Sequence, residues 1–406
     1  MILNNSNQPR YKMNIKIILL SAVSLIASSN LLAAEPTNQE LFEMLKKQQA
    51  QIEELQNKLA ITEEKVVEND EKIESSVLVI EENLVENKGS KTSIGGYGEL
   101  HYNNIEDSES IDFHRFVLFF GHEFSDSIRF YSELELEHAI SGDGQVGEVE
   151  LEQAFVEMDL TDDSRLKAGV FLLPIGVINE THEPPTFYGV ERNPVEKNII
   201  PATWWEAGAN FNTQFSDGLS ADFAIHSGLN VPTDGSNSFL IRNGRQKVAK
   251  ASADSLAYTT RLKYTAVPGL ELAASYQFQT DVTQGELDAD ASLFTAHAIY
   301  NAGNFSVRAL YAEWNINGDE ADVIGRDKQK GYYLEPSFKI NENFGLFARY
   351  NLWDNNAGDS IDSEKKQTNI GLNYWPHEDV VFKVDIENTS GIIDNDGFNL
   401  GVGYQF

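Results

Sequence analysis

The sequence FNLGVGYQF at residues 398–406 alternates large apolar side chains with polar or small ones, without a break. Successive side chains of a β-strand point to opposite faces, so this stretch would present one apolar face and one polar face. The same alternation recurs back to about Ile94, between segments rich in turn-forming residues. A period of two residues over most of the chain predicts a protein built almost wholly of β-strands.

Sixteen alternating segments can be counted from residue 94 onward. They are separated by short turns and long polar connections in regular succession, and the last segment ends on an aromatic residue. An even number of strands is typical of bacterial outer-membrane barrels. We therefore predict an all-β fold, a sixteen-stranded antiparallel transmembrane β-barrel with its short turns in the periplasm. The predicted strands are 94–103, 111–123, 127–138, 148–160, 165–173, 204–215, 219–227, 254–265, 270–280, 290–301, 304–314, 329–340, 344–353, 365–375, 380–390 and 396–406.

The N-terminal part of the chain has a different pattern. Residues 1–34 contain basic residues, an apolar core and a small-residue end, which predicts a secretory signal peptide. Residues 37–86 predict a short periplasmic coiled coil, and a polar linker at 87–93 leads to the barrel at 94–406. A trimeric coil is our expectation, and a solvated single helix or spacer is the alternative. The heptad positions are Leu45, Ile52, Leu59, Val66, Ile73 and Ile80.

The composition excludes several classes of protein. There is no cysteine, so disulfides, thiol nucleophiles and Cys-based metal sites are ruled out. The 63 acidic and 31 basic residues give a formal net charge of −32, which makes nucleic acid a poor partner. We expect outer-membrane lipid around the barrel, and neither a cofactor nor a resident metal ion.

Charged residues mark the strand faces that avoid lipid, because an Arg or Lys against the bilayer midplane costs about 2–4 kcal/mol. Most basic residues lie near short turns and the acidic ones flank the connection 139–147, which predicts a cationic inner stretch and an anionic outer mouth. Such charges either filter ions by sign or pair across neighbouring strands in a hydrated wall. The predicted pore-lining bases are Arg115, Arg129, Arg165, Lys167, Arg261, Lys263, Arg308, Arg349 and Lys383, and the acids are Glu133, Glu135, Glu137, Glu148 and Glu150.

One predicted strand breaks its own alternation. Glu148 and Glu150 share one parity, whereas Glu157 and Asp159 have the other. A β-bulge inserts one residue and would restore the phase. We therefore predict a bulge near Glu152-Gln153.

The connection 174–203 is much longer than a turn requires and contains five prolines. We expect this loop to fold inward and narrow a channel, and the alternative is an external loop or a contact between subunits. Its candidate residues are Glu180, His182, Glu183, Glu191, Arg192, Glu196 and Lys197.

Tryptophan placement suggests a second membrane feature. Trp204-Trp205, Trp314, Trp353 and Tyr374-Trp375 lie near predicted strand ends. Aromatic residues are enriched at membrane–water interfaces, so these residues predict aromatic belts.

Four stretches carry a family resemblance: GGYGEL at 95–100, FHRF at 113–116, AGVFLLPIG at 168–176 and ERNP at 191–194. In this order they resemble the phosphate-selective porin O and P type family of Gram-negative outer membranes. The resemblance covers about residues 94–406 and implies a trimeric passive channel in which basic residues guide anions such as phosphate. Candidates for that role here are Arg115, Arg129, Arg165, Lys167, Arg261 and Lys263.

The sequence therefore favours a general or anion-biased diffusion porin, a homotrimer that passes small hydrophilic solutes without catalysis. A cation-biased porin is one alternative, and an envelope protein that contacts the cell wall through its coiled coil is another. A barrel enzyme is disfavoured because the G-x-S-x-G motif is absent. Four histidines on early strands are the residues that such an enzyme could use: His101, His114, His122 and His138.

Overall fold

The computed structural model describes Lys46, Gln49 and residues 91–406 except Asp143. No helix within these residues is long and apolar enough to cross a membrane.

The chain divides into two units, Met1–Gly89 and Ser90–Phe406. In the first unit only Lys46 and Gln49 are described, and both are helical. The predicted signal peptide and the other positions of the predicted coiled coil lie outside the described residues.

The second unit is a closed antiparallel barrel of sixteen strands, which confirms the predicted fold class and strand number. Each strand pairs with its neighbours in sequence, and β1 pairs with β16 to close the barrel. Closure gives the backbone N–H and C=O groups partners throughout, as a lipid environment requires. The strands are β1 (Thr92–Ile105), β2 (Ser108–Ser125), β3 (Ile128–Glu137), β4 (Val149–Thr161), β5 (Ser164–Leu172), β6 (Trp205–Ser216), β7 (Leu219–His226), β8 (Ala257–Tyr264), β9 (Leu270–Gln279), β10 (Asp290–Ala302), β11 (Phe305–Asn317), β12 (Lys328–Lys339), β13 (Phe344–Asp354), β14 (Lys365–His377), β15 (Val380–Gly391) and β16 (Asn395–Gln405).

The two faces of each strand differ in chemistry. In β15, Ile386 is 66% exposed on the outside, whereas its neighbour Asp385 is 2% exposed on the inside. Phe382 and Val384 lie on the outer face with Ile386, and Lys383 lies on the inner face with Asp385. The outer surface is therefore apolar, and the interior holds the polar and charged side chains.

A bulge in β4 changes which side chains point inward. Glu133 of β3 lies opposite Gln153, but Leu134 lies opposite Leu151, so Glu152 is the extra residue. This confirms the predicted bulge. Glu152 and Gln153 consequently both face the interior, where the Gln153 amide donates to Glu133 at 2.7 Å.

Connection lengths distinguish the two ends of the barrel. The short-turn end has seven connections of two to five residues, from 126–127 to 378–379. The opposite, long-loop end has the longest connections, 173–204 and 227–256. The predicted alternation of short and long connections fails at 106–107 and 392–394. These two connections at the long-loop end are short because the flanking strands pair almost to their tips.

The tryptophans correct the predicted aromatic belts. Trp204 and Trp314 are completely buried, and the Trp314 indole N–H donates to the Ile199 carbonyl at 2.9 Å. An indole N–H removed from water needs such an acceptor, and the loop 173–204 supplies it. Trp205, Trp353 and Trp375 are also buried, whereas Tyr374 is exposed as predicted. The exposed aromatic surface consists of Tyr and Phe residues, including Tyr276, Tyr300, Tyr311, Tyr332 and Phe382.

Candidate functional site

The inner loop, residues 173–204 between β5 and β6, lies within the barrel. Its apolar residues Leu173, Ile175 and Ile200 are buried. Its hydrogen bonds reach strands on all sides of the barrel, which is possible only from the interior. Its partners on the wall are Arg115 in β2, Glu133 in β3, Ser275 in β9, Trp314 in β11, Tyr333 in β12, Arg349 in β13 and Asp385 in β15.

The carboxylate of Glu196 joins two parts of the inner loop to the wall. It accepts hydrogen bonds from the backbone N–H groups of Val177 at 2.8 Å and Ile178 at 2.7 Å. It also accepts the hydroxyl of Tyr333 in β12 at 2.9 Å. Glu196 is 1% exposed, so water could not easily replace its carboxylate as the acceptor for these three donors.

The local sequence explains the chain path around Glu196. The short helix α1 (Pro194–Asn198) starts with a proline, and the side chain of its N-cap residue Asn193 accepts from the Glu196 N–H at 2.8 Å. Gly176 has φ of +77°, and a Cβ there would lie 2.5 Å from a carboxylate oxygen of Glu196. Only glycine fits this close approach.

His182 and Glu191 form ion pairs between the inner loop and the wall. His182 Nε2 lies 3.3 Å from Glu133, and Glu191 lies 3.0 Å from His101 Nδ1. Burial alone would lower the pKa of His182, but the Glu133 carboxylate raises it above its usual value. Burial alone would raise the pKa of Glu191, but the hydrogen bond with His101 holds it well below its usual range. Both pairs therefore favour the charged forms.

The other charged candidates of the inner loop have varied surroundings. Arg192 donates to the Thr203 hydroxyl at 2.6 Å, and Glu180 pairs with Arg261 on β8. Glu183 is half-buried and Lys197 is exposed.

Most of the predicted pore-lining bases have acidic partners. Arg129 Nη2 lies 2.6 Å from Glu157 and 2.7 Å from Asp159. The predicted cationic stretch near the short turns is therefore largely neutralised, as the paired-wall alternative described. The further pairs are Arg115 with Glu99, Arg165 with Asp159, Arg261 with Asp222, Lys263 with Glu271, and Arg349 with Glu335.

Three of those bases interact differently. Arg308 donates to the carbonyl of Thr186 in the inner loop at 3.0 Å. Lys167 lies over the ring of Phe155 and Lys383 lies over the ring of Phe187, with the ammonium 4.4 Å and 3.5 Å from the ring centres. These are cation–π contacts.

A cleft of about 100 Å³ lies toward the long-loop end, between the wall and two loops. Cavities of about 710 and 480 Å³ lie toward the short-turn end. Acidic and basic residues face each other in the cleft. The acids on the wall are Glu99, Glu135, Glu137, Glu150 and Glu152, and the acid on the inner loop is Glu191. The bases on the loops are Arg192, Lys197, Arg242, Arg245 and Lys247, and the base on the wall is Arg115.

Three of these bases, in loop 227–256, were not predicted. Arg242 donates to the carbonyls of Lys197 and Ala202 at 2.9 Å each, so this second loop braces the inner loop. Lys247 pairs with Glu148 and Glu150, two of the predicted acids. The available signal was IRNGRQK at 241–247, which has three bases within six residues of a strongly acidic chain.

Comparison with known proteins shows which family this barrel belongs to. A protein of Aquifex aeolicus (strain VF5), itself uncharacterized, is 30% identical over 349 residues, which cover 77% of this chain and 80% of that protein. The sequence pattern of the family described as Gram-negative porin matches residues 209–391. The chain belongs to the Gram-negative porin family.

Solved structures show the same fold as this porin. An anion-selective porin from Comamonas acidovorans superposes with a TM-score of 0.58 at 14% identity, covering 78% of this chain and 100% of that one. The trimer form of OmpT, an outer membrane protein of Vibrio cholerae, superposes with a TM-score of 0.54 at 11% identity, covering 79% and 100%. Family and fold indicate an outer-membrane channel rather than an enzyme.

We predict that Glu196→Ala loosens the inner loop of this porin. The change leaves these three buried donors, and the Asn193 side-chain amide that donates at 3.3 Å, without their acceptor. Each unsatisfied group costs about 1–3 kcal/mol. In planar bilayers, the single-channel current should become noisier than in the wild type.

The matched control is Asp126→Ala, which removes an exposed carboxylate from the short turn 126–127 and should leave the current unchanged. Tyr333→Phe removes one of these donors and should give an intermediate effect. Identical current traces for Glu196→Ala and the wild type would contradict the role given to this carboxylate.

Proposed function

We propose that this porin lets small hydrophilic solutes and ions diffuse passively across the outer membrane. The observation that carries the proposal is the polar interior of the closed barrel, which holds a charged cleft of about 100 Å³ and cavities of about 710 and 480 Å³. Passage requires no moving part and no catalytic group. Polar and charged linings replace part of the hydration of a permeant solute.

The cleft also gives this passage an electrical asymmetry. Most of the acids lie on the wall and most of the bases lie on the inner loop and loop 227–256, with Arg115 on the wall and Glu191 on the inner loop as the exceptions. Lys247 forms ion pairs with Glu148 and Glu150 and so neutralises part of the negative charge on the wall. A solute in the cleft would therefore lie in a field directed across the barrel.

We further propose a preference for small anions, including oxyanions such as phosphate. Within residues 91–406, Nε and Nη2 of Arg192 and Nε of Arg245 are buried donors without a hydrogen-bond partner. Guanidinium donors of this kind match the oxygens of phosphate. Their position in the lining of the cleft supports contact with an anion there.

We predict an anion-selective zero-current potential for the purified porin in a planar bilayer with a salt gradient. Arg192→Gln and Lys247→Gln should each shift the potential toward cation selectivity, because each removes a positive charge from the cleft. Lys250→Gln is the matched control, since Lys250 is exposed on the same loop and does not line the cleft.

The outcomes separate the parts of the proposal. A cation-selective wild type would contradict the anion preference and retain the channel. The absence of any conductance would contradict the channel itself.

We also propose that three copies assemble, joined in the periplasm by a coiled coil of residues 37–86. The heptad spacing in that segment supports this assembly, as does the trimer form of the Vibrio cholerae protein. Native mass spectrometry of the full chain should show trimers, and deletion of residues 37–86 should make them dissociate at lower temperature. Monomers from the full chain would contradict this assembly.

A tether to the cell wall is a second role for the same segment. Cells that carry the deletion would then have a fragile envelope while the porin still conducts. An intact envelope in those cells would exclude the tether.

A further inference from the structure

Three potential metal ligands meet at the long-loop end, beside the cleft. His138 Nδ1 lies 2.8 Å from Asp112 Oδ2, and His114 Nδ1 lies 3.4 Å from the same oxygen. All three ligand atoms lie within 4.8 Å of one another. The side chains are about one-third exposed, so an ion from solution can reach them.

An irregularity in β2 directs His114 into this group. Arg115 pairs with Glu99 of β1, but Asp112 pairs with His101, so β2 bulges at residues 113 and 114. The bulge lets His114 and Arg115, neighbours in sequence, both face the interior. The His114 ring stacks on His101 with centres 4.8 Å apart, whereas Arg115 pairs with Glu99 at 2.6 Å.

A second backbone irregularity, at His138 itself, places its side chain in this group. This residue follows β3 and has φ of +54°, and Ala139 has φ of +58°. Left-handed backbone is uncommon for residues other than glycine, and such strain concentrates at functional sites. The His138 N–H donates to the His114 carbonyl at 3.2 Å, which fixes the two histidines relative to each other.

The donor set determines which ions fit. Two imidazole nitrogens and one carboxylate suit Zn²⁺, Cu²⁺ and Ni²⁺, whereas Ca²⁺ and Mg²⁺ prefer oxygen ligands alone. Ligands on a tetrahedral Zn²⁺ with bonds of about 2.0–2.1 Å are about 3.3 Å apart. The 2.8 and 3.4 Å separations from Asp112 are close to that spacing.

We propose that Asp112, His114 and His138 form a binding site for a divalent first-row transition-metal ion, with Zn²⁺ the best fit. Three protein ligands leave a coordination position for water or a permeant anion. His114 also lines the cleft, so the ion adds positive charge there. Binding is a property of these residues and does not depend on conduction.

Another cluster, His377, Glu378 and Asp379, provides an internal comparison. These consecutive residues lie at an exposed turn of the short-turn end. Their proximity in sequence is enough to bring the side chains together, although β14 also bulges beside them, between Tyr374 and His377. A metal ion bound there would be a surface association, and substitution of His377 would remove it.

The experiment is Zn²⁺ titration of the purified full chain, without a histidine tag, by isothermal calorimetry at neutral pH. We expect one Zn²⁺ per chain, with binding unaffected by millimolar Ca²⁺. His114→Asn and His138→Asn should each weaken binding about tenfold or more, since even changes beside metal ligands cost that much. The matched control is His122→Asn, on the same strand β2, where His122 contacts Thr92 at 2.7 Å near the short-turn end.

Folding of each variant is checked by the heat-dependent gel mobility of the barrel, and Asp112→Asn replaces any histidine variant that does not fold. Wild-type affinity in the folded His114, His138 or Asp112 variants would overturn the site. Loss of binding in His377→Asn alone would also overturn it, as would no Zn²⁺ binding by the wild type. A functional channel with no Zn²⁺ site would leave the proposed transport role intact, so the two failures can be distinguished.

Discussion

In lipid, each backbone N–H and C=O group must find its partner within the protein, and the rest of this structure depends on that constraint. A closed ladder of sixteen strands meets it. Closure then gives every strand an inner and an outer face, and the cost of a charge in lipid directs charged side chains inward. The charged side chains of the strands therefore line a confined interior, where their charges must be paired or hydrated.

The inner loop is positioned by these interior charges. His182 pairs with Glu133, and Arg349 donates to the carbonyls of Tyr188 and Glu191. Buried ion pairs contribute little net stability, but breaking one by removing a partner is costly. Their effect here is to select one path for a loop of 32 residues within the barrel.

The fold was predictable because a period of two residues is a local signal. Strand number and the extra residue at Glu152 followed from the parity of side chains along single strands. The positions of Trp314 and Arg242 could not be predicted from this period, because both residues contact loops that are distant in sequence. In the sequence alone, Trp314 is typical of a membrane–water interface. In the structure its N–H donates to a carbonyl of the inner loop.

The candidate site was predictable in part for the same reason. Wall acids such as Glu135 could be read from strand parity, whereas their partners in loop 227–256 could not. The grouping of His114 with His138 depends on a bulge and on a left-handed residue. The left-handed backbone at His138 leaves no periodic trace in a sequence, so only the structure brings the two side chains together.

The central claim is that the inner loop rests against the barrel wall inside the barrel. Because the chain has no cysteine, an engineered disulfide tests it directly. A Cβ at Gly401 would lie 3.6 Å from the Val190 Cβ, within the range of about 3.5–4.5 Å for disulfides. The account predicts that Val190→Cys with Gly401→Cys forms the bond on mild oxidation, and that single-channel conductance is equal before and after reduction. Two thiols that stay free, or a conductance that changes with the bond, would contradict it.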